Sequence, residues 1–328
     1  TEIYTLSLHD ALPISYTGQW HFNIQRTLGQ NYLMEIGYMG NLSVKMPATA
    51  NFNQARPLDP NIPFQNQPLQ SRRPYPEYGT IRQFDRMGKA NYHGLTAKLE
   101  KRYSSGFSYL ASYTWSKAID SGTDISSDPV KAPGDANSYR GLASMDIGHR
   151  LVGSFSWELP FGKGKRYGGS MNSLANAFVG GWQVNGIVTH QLGAPLSVTA
   201  PATIPDVDAF AVFADRTCDG RLPRADRTRL RFFDTSCYAL PAPGRFGNAG
   251  RSTLRGPGIA NWDVSMFKVF PLPGEGRDIQ FRFETFNTWN HTQFGNPGTG
   301  LPAAPGVFGV INSARDPRQI QLALRLGF

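Results

Sequence analysis

The last ten residues, 319–328, read QIQLALRLGF. Large apolar side chains occupy every second position from Ile320 to Phe328, and polar or small residues occupy the positions between them. Successive side chains of a β-strand point to opposite faces, so this alternation predicts a strand with one apolar and one polar face. The chain ends inside this strand, on an aromatic residue.

Eight further segments show the same alternation. In one of them, Phe281 and Phe283 alternate with Arg282 and Glu284. Most segments are close to the roughly 9–11 residues that a tilted strand needs to cross a bilayer. The nine predicted strands cover residues 18–27, 31–40, 92–103, 106–117, 149–159, 181 to about 199, 260–270, 278–289 and 319–328.

The composition agrees with an all-β chain and excludes a helical membrane protein. The 328 residues include 35 glycines and 24 prolines, and 40% of them are hydrophobic. No uninterrupted apolar run reaches the roughly 18 residues that a membrane helix needs. The net charge is +9, but lysine and arginine are dispersed apart from short clusters such as 221–231. Nucleic-acid binding is therefore not expected, since it calls for basic residues concentrated on one element.

The connections between the predicted strands alternate in length. Strands 1–2, 3–4 and 7–8 are joined by a few residues, and strands 5–6 by about twenty, whereas every intervening connection is longer. Short turns at one end and long loops at the other are typical of an outer-membrane barrel. We therefore predict an antiparallel transmembrane β-barrel whose long loops lie outside the cell. The predicted loops cover roughly residues 41–91, 118–148, 200–259 and 290–318.

All six tryptophans share the parity of the apolar face of their predicted strand. In an outer-membrane barrel, aromatic residues form girdles at both membrane interfaces. Tryptophans in the core of a soluble β protein would instead favour the middles of strands. The sequence therefore predicts membrane-interface aromatics at outer strand ends (Trp20, Trp115, Trp262 and Trp289) and at inner ends (Trp157 and Trp182).

Six stretches, in this order and spacing, resemble the C-terminal barrel of TonB-dependent outer-membrane receptors. The resemblance is to the Oar-like group, which has an N-terminal carboxypeptidase-regulatory-like domain. The stretches are NYHGLTAKLEKRYSSGFSYLASYTWSKAID (91–120), GHRLVGSFSWELPFGKGKR (148–166), GGWQVNGIVTHQLGAPLSV (180–198), FGNAGRSTLRGPGIANWDVSMFKVFPL (246–272), FRFETFNTWNHTQFGNP (281–297) and the terminal RQIQLALRLGF.

This resemblance implies a barrel of about 22 strands in the bacterial outer membrane, of which this chain supplies the last nine. It implies an N-terminal plug that lies upstream of this chain. It also implies a TonB-type energy-coupling protein as a partner, which would bind through the same upstream region. Further implied partners are outer-membrane lipid, an unknown extracellular ligand and the barrel-assembly machinery, for which Phe328 would be the C-terminal strand signal. A passive porin without a plug, and a surface or adhesive β domain without transport, are the alternatives.

The first residues, 1–15, read TEIYTLSLHDALPIS and resemble translated sequencing adapter. They have no basic segment ahead of an apolar core, as a signal peptide would. We expect 1–15 to be a non-native leader and 16–328 to be the barrel region.

No catalytic motif is present, and we expect no enzyme, cofactor or metal site. The chain has no G-x-S-x-G, P-loop or H-E-x-x-H pattern. Asp120, Asp124 and Asp128 lack the glycine and terminal glutamate of a calcium-binding EF-hand loop, so they predict a solvated acidic loop. GKGKRYGG at 162–169 lacks the P-loop spacing and predicts a hydrated turn at the inner membrane face.

The remaining candidates concern recognition. Cys218 and Cys237 lie in one predicted loop and predict a disulfide, with two free thiols as the alternative. The loops 41–91 and 200–259 would form the ligand vestibule or merely shield the pore. Five arginines in the second loop suit an anionic ligand or lipopolysaccharide phosphates; they are Arg221, Arg224, Arg227, Arg229 and Arg231. Residues predicted to face the lumen or plug, or simply to belong to the hydrated wall, are Arg282, Glu284 and Arg325.

Overall fold

The fold is built on an antiparallel sheet of nine long strands. The structure is a computed structural model that describes residues 14–328 except 57, 60, 64–65, 123–138, 202–211, 275 and 302–305, so the predicted leader lies almost entirely outside the described residues. The strands are β1 Tyr16–Leu28, β2 Tyr32–Asn51, β3 Arg82–Ser104, β4 Phe107–Asp120, β5 His149–Glu158, β6 Trp182–Gln191, β7 Ile259–Pro271, β8 Asp278–Phe286 and β9 Gln319–Gly327.

Each strand pairs with its neighbours in chain order, from β1 at one edge of the sheet to β9 at the other. The predicted antiparallel all-β class is confirmed. The two edge strands do not pair with each other in the described sheet, so the wall of the barrel is open between β1 and β9.

The shorter elements lie in the connections. A seven-residue helix, α1 (Ser173–Val179), lies between β5 and β6. No helix among the described residues is long and apolar enough to cross a membrane. Short 3-10 turns cover Leu69–Arg72, Arg224–Asp226 and Thr235–Cys237. Two-residue strands form the pairs Pro195–Leu196 with Leu254–Arg255, Thr199–Ala200 with Val212–Phe213, and Asp215–Arg216 with Tyr238–Ala239, while Gly141–Leu142 pairs with β4.

Short and long connections lie at opposite ends of the sheet. The turn end carries the connections 29–31, 105–106, 159–181 and 272–277, and the loop end carries 52–81, 121–148, 192–258 and 287–318. At the tightest turn, Ser105 and Gly106 both have positive φ, 54° and 78°. Two positive φ values are what a two-residue type I′ hairpin turn requires. The predicted alternation of short turns and long loops is confirmed.

The strand register separates apolar from polar residues across the sheet. One row of directly paired residues runs from β9 to β4 as Leu322, Phe283, Met266, Val184, Trp157 and Phe107. The adjacent row runs as Gln321, Glu284, Ser265, Asn185, Ser156 and Ser108. Directly paired residues share a face and adjacent residues alternate. The sheet therefore has an apolar face and a polar face, and both are continuous over several strands.

Among the described residues, most of the apolar face is exposed or half-exposed, and no buried apolar core packs against it. On β9, Leu322 is 65% exposed and Leu324 is 74% exposed. Fully buried apolar side chains in the described residues, such as Val198 and Phe233, all belong to the connections at the loop end. An exposed apolar face of this extent is what a lipid-facing barrel wall presents.

Four strand boundaries differ clearly from those that the sequence predicts. β2 and β3 continue as a hairpin into the predicted loop 41–91, beyond register shifts around Met46, and such shifts interrupt the alternation on which the prediction relied. β6 ends at Gln191 instead of about 199, because the chain turns at Gly193, where a Cβ atom would lie 1.9 Å from the carbonyl oxygen of Gly256.

β8 ends at Phe286 instead of 289. Asn287 has a φ of 50°, its backbone N–H donates to Asp263 Oδ1 at 2.9 Å, and its side-chain amide donates to the carbonyl of His291 at 3.0 Å. These bonds turn the chain out of the sheet. Trp289 consequently lies just beyond the strand.

Candidate functional site

The loop end is covered by a layer with its own apolar core. Phe233 is 2% exposed and packs edge-on against Tyr238 and Phe308, with ring centroids 5.8 and 5.2 Å away. Tyr139 stacks on Phe213 at 5.5 Å. These residues come from the connections 121–148, 192–258 and 287–318, which therefore fold together as one layer. We call it the loop layer.

A disulfide closes the arginine-rich part of the loop layer. Cys218 and Cys237 are bonded, and Cys237 is buried next to Phe233. Beside the bond, the Arg221 guanidinium donates to both carboxylate oxygens of Asp219. These hydrogen bonds hold the pKa of the Asp219 carboxyl down at about 2. The pair is exposed, and it orients Arg221 at the surface.

Two ion pairs attach the loop layer to the sheet. Arg251 pairs with Asp120 at the end of β4, and both side chains are at least nine-tenths buried. Arg255 pairs with Asp146, whose side chain is fully buried and also accepts a hydrogen bond from the Ala118 backbone at 2.6 Å. Asp120 therefore belongs to a buried ion pair and not to the solvated acidic loop that we predicted. Asp124 and Asp128 lie outside the described residues.

A cavity of about 950 Å³ lies between the loop layer and the ends of β4–β7. Among its described lining residues there are five arginines and three histidines, and no aspartate or glutamate. The arginines are Arg150, Arg221, Arg224, Arg227 and Arg255, and the histidines are His149, His190 and His291. Arg221 and Arg255 pair with Asp219 and Asp146, respectively, which leaves Arg150, Arg224 and Arg227 as the lining arginines that no described carboxylate pairs with. A cavity with this lining favours an anionic occupant.

Three of the five candidate arginines line this cavity. The Nε of Arg227 donates to the carbonyl of Leu222 at 2.8 Å, and its guanidinium lies 5.5 Å from the Phe232 ring centroid. Within the described residues, no carboxylate pairs with Arg224 or Arg227. The remaining two point elsewhere: Arg229 donates to the Ile311 carbonyl at 3.3 Å, and Arg231 pairs with Asp234 at 3.5 Å.

Tryptophans and histidines cluster at the loop end of the apolar face. The Trp20 ring lies 6.1 Å from the ring of His93, whose Nδ1 is hydrogen-bonded to the Tyr38 hydroxyl at 2.8 Å. Trp262 contacts Trp289 at 6.3 Å, and Trp115 pairs in register with His149. The histidine contacts with Trp20, Tyr38 and Trp115 each join two different strands, so no local sequence pattern predicts them.

At the turn end, Trp157 and Trp182 lie on the same face, and Trp182 is held against α1. Its indole N–H donates to the carbonyl of Phe178 at 2.7 Å. Lys268 is 3% exposed, donates to the Asn176 and Gly180 carbonyls at the end of α1, and lies 5.4 Å from the Trp182 ring. A lysine at this place satisfies carbonyls that a helix end leaves free.

The connection 159–181 contains more than the turn predicted at 162–169, whose residues form turns and bends and are mostly exposed. It contains α1, which begins after Asn172, whose side-chain oxygen accepts from the Ala175 N–H at 2.8 Å. Leu174 and Phe178, four residues apart and thus on one side of the helix, are each 72% exposed. The asparagine cap and the Gly180-Gly181 pair after the helix are signals that the sequence already contained.

Arg282, Glu284 and Arg325 all lie on the polar face. Arg282 donates to the side chain of Gln280 at 2.8 Å, and its guanidinium lies 5.2 Å from the Phe267 ring. Gln280 is in turn the register partner of Arg325. The structure thus places these three candidates on neighbouring strands of one polar face.

These features define a class of protein: the wall of a transmembrane β-barrel, bare and apolar on one face, with folded loops at one end. The chain belongs to the outer membrane beta barrel domain family, whose sequence profile matches residues 2–321. The protein is therefore an outer-membrane β-barrel protein. A comparison of its sequence with curated proteins finds no match.

Several solved outer-membrane structures resemble the fold at low sequence identity. For the outer membrane transporter YddB from Escherichia coli, the TM-score is 0.48 and the identity 9%, over 97% of this chain and 33% of that one. For BauA, the ferric preacinetobactin receptor from Acinetobacter baumannii, the TM-score is 0.47 and the identity 12%, over 95% of this chain and 29% of that one. For the FrpB iron transporter from Neisseria meningitidis, the TM-score is 0.41 and the identity 10%, over 95% of this chain and 30% of that one. This chain thus spans about a third of the length of these proteins.

Proposed function

We propose that the chain is the C-terminal part of the barrel of a TonB-dependent, Oar-like receptor that takes up an unidentified substrate across the outer membrane. The observation that carries the proposal is the pair of adjacent rows, one apolar and one polar, that run across β4–β9 below a folded loop layer. Lipid on one side and an aqueous lumen on the other account for both rows. The TonB-dependent and Oar-like assignments rest on the six sequence stretches between residues 91 and 328.

In this proposal the barrel closes with strands from elsewhere in the protein. β1 and β9 are both edges in the described sheet. An unpaired N–H or C=O group in hydrocarbon costs several kcal/mol, so an open edge does not persist in lipid. Upstream strands would complete the wall, and an upstream plug would fill it and contact the TonB-type partner.

The site residues then divide by face. Arg282, Glu284 and Arg325 line the lumen or contact the plug. The six tryptophans mark the two membrane interfaces, with Trp20, Trp115, Trp262 and Trp289 on the outside and Trp157 and Trp182 on the periplasmic side. Phe328 ends the strand that the barrel-assembly machinery recognises. An enzymatic activity forms no part of this proposal.

We assign ligand capture to the loop end, and the loop 52–81 supports this role because its fold is tightly specified. Asn53 is fully buried, and its side-chain amide donates to the carbonyls of Tyr75, Tyr78 and Gly79 at 2.8–3.0 Å. The same loop exposes Tyr78 by 62%, and Phe52 and Tyr75, which stack on each other, by about half. Aromatic side chains held in place by such bonds offer a preorganised contact surface.

Potassium chloride conductance of the intact protein in planar bilayers distinguishes the plugged receptor from the passive porin. A plugged barrel predicts no steady conductance, and steady channels only after the plug is deleted. Steady open channels from the intact protein would refute the proposal and favour the passive porin. A variant with Trp115→Phe, which leaves the lumen unchanged, is the matched control.

A further inference from the structure

The cavity beneath the arginine-rich loop opens on the apolar face of the sheet. Four of its lining residues, Tyr113, Leu151, His190 and Ala260, form one row of direct register partners across β4–β7. This row shares the face of Trp115 and Trp157, since positions two apart on a strand point the same way. Of the eight residues of β4–β7 that line the cavity, five lie on this face, and three of the adjacent row, Arg150, Gln191 and Ile259, lie on the polar face. The cavity therefore sits over the strand ends, which form its floor, and reaches the surface that meets lipid.

The walls of the cavity combine cationic and apolar groups. Arg224 and Arg227 come from the 3-10 turn of the connection 192–258 and its C-cap, and Leu222 and Phe232 lie beside them. His149, whose Nδ1 is hydrogen-bonded to the Tyr113 hydroxyl at 2.6 Å, lies at the edge of the floor. Positive charge beside an apolar surface suits a molecule with an anionic head and apolar chains.

We propose that this cavity binds the phosphorylated sugar head of an outer-leaflet glycolipid. Its phosphate would accept hydrogen bonds from the guanidinium groups of Arg224 and Arg227, and its acyl chains would continue down the apolar face past Leu151. Arginine pairs with phosphate through two parallel N–H···O bonds, a geometry that lysine does not offer. Because the cavity reaches the lipid-facing surface, acyl chains attached to the phosphorylated head have a path onto that surface, which favours a membrane lipid over a free anion. This inference needs only the outer-membrane location and does not rest on the proposed transport function.

The test measures the binding of purified bisphosphorylated lipid A to the intact protein in detergent micelles by native mass spectrometry. Because each arginine would donate charge-assisted hydrogen bonds to the phosphate, the double change Arg224→Glu/Arg227→Glu should weaken binding at least about tenfold. Arg245→Glu/Arg315→Glu is the matched control, since it changes the net charge equally at exposed positions that do not line the cavity. It should leave binding unchanged.

Two further arms identify the source of the phosphate and the place of binding. Dephosphorylated lipid A should bind at least about tenfold more weakly, and inorganic phosphate should not displace lipid A at equal concentration. Ala260→Trp, which fills the floor without changing charge, should also weaken lipid A binding. The proposal is overturned if Arg224→Glu/Arg227→Glu binds lipid A as the unmodified protein does, or if inorganic phosphate competes equally well. Equal loss in the Arg245→Glu/Arg315→Glu control would reduce the effect to net charge and would also overturn it.

Discussion

Arg251 and Asp120 form a buried ion pair that joins the longest connection of the chain to the end of β4. The two residues are 131 positions apart, and the Arg251 guanidinium also lies 5.3 Å from the centroid of the Tyr139 ring. One arginine thus contacts a strand end, a neighbouring loop and its own loop. It holds the loop layer against the barrel wall.

Replacing Arg251 by methionine should destabilise the loop layer by about 3–5 kcal/mol, because the Asp120 carboxylate would remain buried without its partner. Limited proteolysis of the intact protein in outer membranes would report this as rapid cleavage within 192–258. The exposed arginine Arg221 provides the control, and Arg221→Met should leave the cleavage rate unchanged. Equal protease resistance of Arg251→Met would show that the ion pair does not hold the layer.

The disulfide should stabilise the same layer from within. Cys218 and Cys237 are 19 residues apart, and closing a loop of about this size contributes about 3 kcal/mol. The double variant Cys218→Ser/Cys237→Ser should become protease-sensitive around 218–237, while the heat-dependent shift in gel mobility that reports an intact barrel remains. If the variant becomes protease-sensitive and also loses the heat-dependent gel shift, the barrel and the loop layer do not unfold as separate units.

Alkaline pH should loosen the contact between Tyr139 and Phe213. Burial raises the pKa of the Tyr139 phenol above 10, and the neighbouring Arg251 guanidinium partly opposes this shift. Because the folded pKa is the higher one, the protonated phenol adds stability that is complete below pH 10 and is lost as the pH rises through the folded value. Ultraviolet titration should show a late tyrosinate phase that is smaller by one tyrosine in Tyr139→Phe, since burial also raises the pKa of Tyr238. An unchanged titration curve in that variant would contradict the assignment.

Lys268 should fix α1 against the turn end of the sheet. Lys268→Met removes the donor to the Asn176 and Gly180 carbonyls, and hydrogen bonds of a charged group contribute about 1.5–3 kcal/mol. We expect earlier unfolding in urea and a red-shifted tryptophan emission, since Lys268 lies over Trp182. Lys165→Met, in an exposed pair with Glu158 at 3.2 Å, is the control. Identical emission in Lys268→Met would exclude the proposed packing.

Local sequence pattern was sufficient for the sheet, because alternation is a property of each strand alone. All nine long strands occur where alternation predicts them, and errors arise where the pattern is interrupted, at Met46 and Gly193. Contacts between segments that are far apart in the chain could not be predicted from the sequence. The bonds of Arg251 with Asp120 and of Lys268 with the end of α1 depend on the tertiary fold. The residues next to Arg251 and Lys268 in the sequence form no motif that points to these partners.

The same limit applies to the candidate site. The sequence identified the arginines of 221–231 as a group but gave no means to separate those that line the cavity from Arg229 and Arg231. It also left open which face of the barrel they serve, since this depends on how the connection folds over β4–β7. The register shows that Tyr113, Leu151, His190 and Ala260 bring the apolar face to the cavity, while Arg150, Gln191 and Ile259 bring the polar face.

The most direct test of the central claim compares single cysteines at neighbouring positions of β8 and β9. Glu284→Cys and Gln321→Cys lie in the polar row, and Phe283→Cys and Leu322→Cys in the apolar row. In intact outer membranes, a charged, membrane-impermeant maleimide should label the first two, and should label the second two only after unfolding. Labelling of all four, or of the apolar pair alone, would contradict the assignment of one face to lipid and the other to a hydrated lumen.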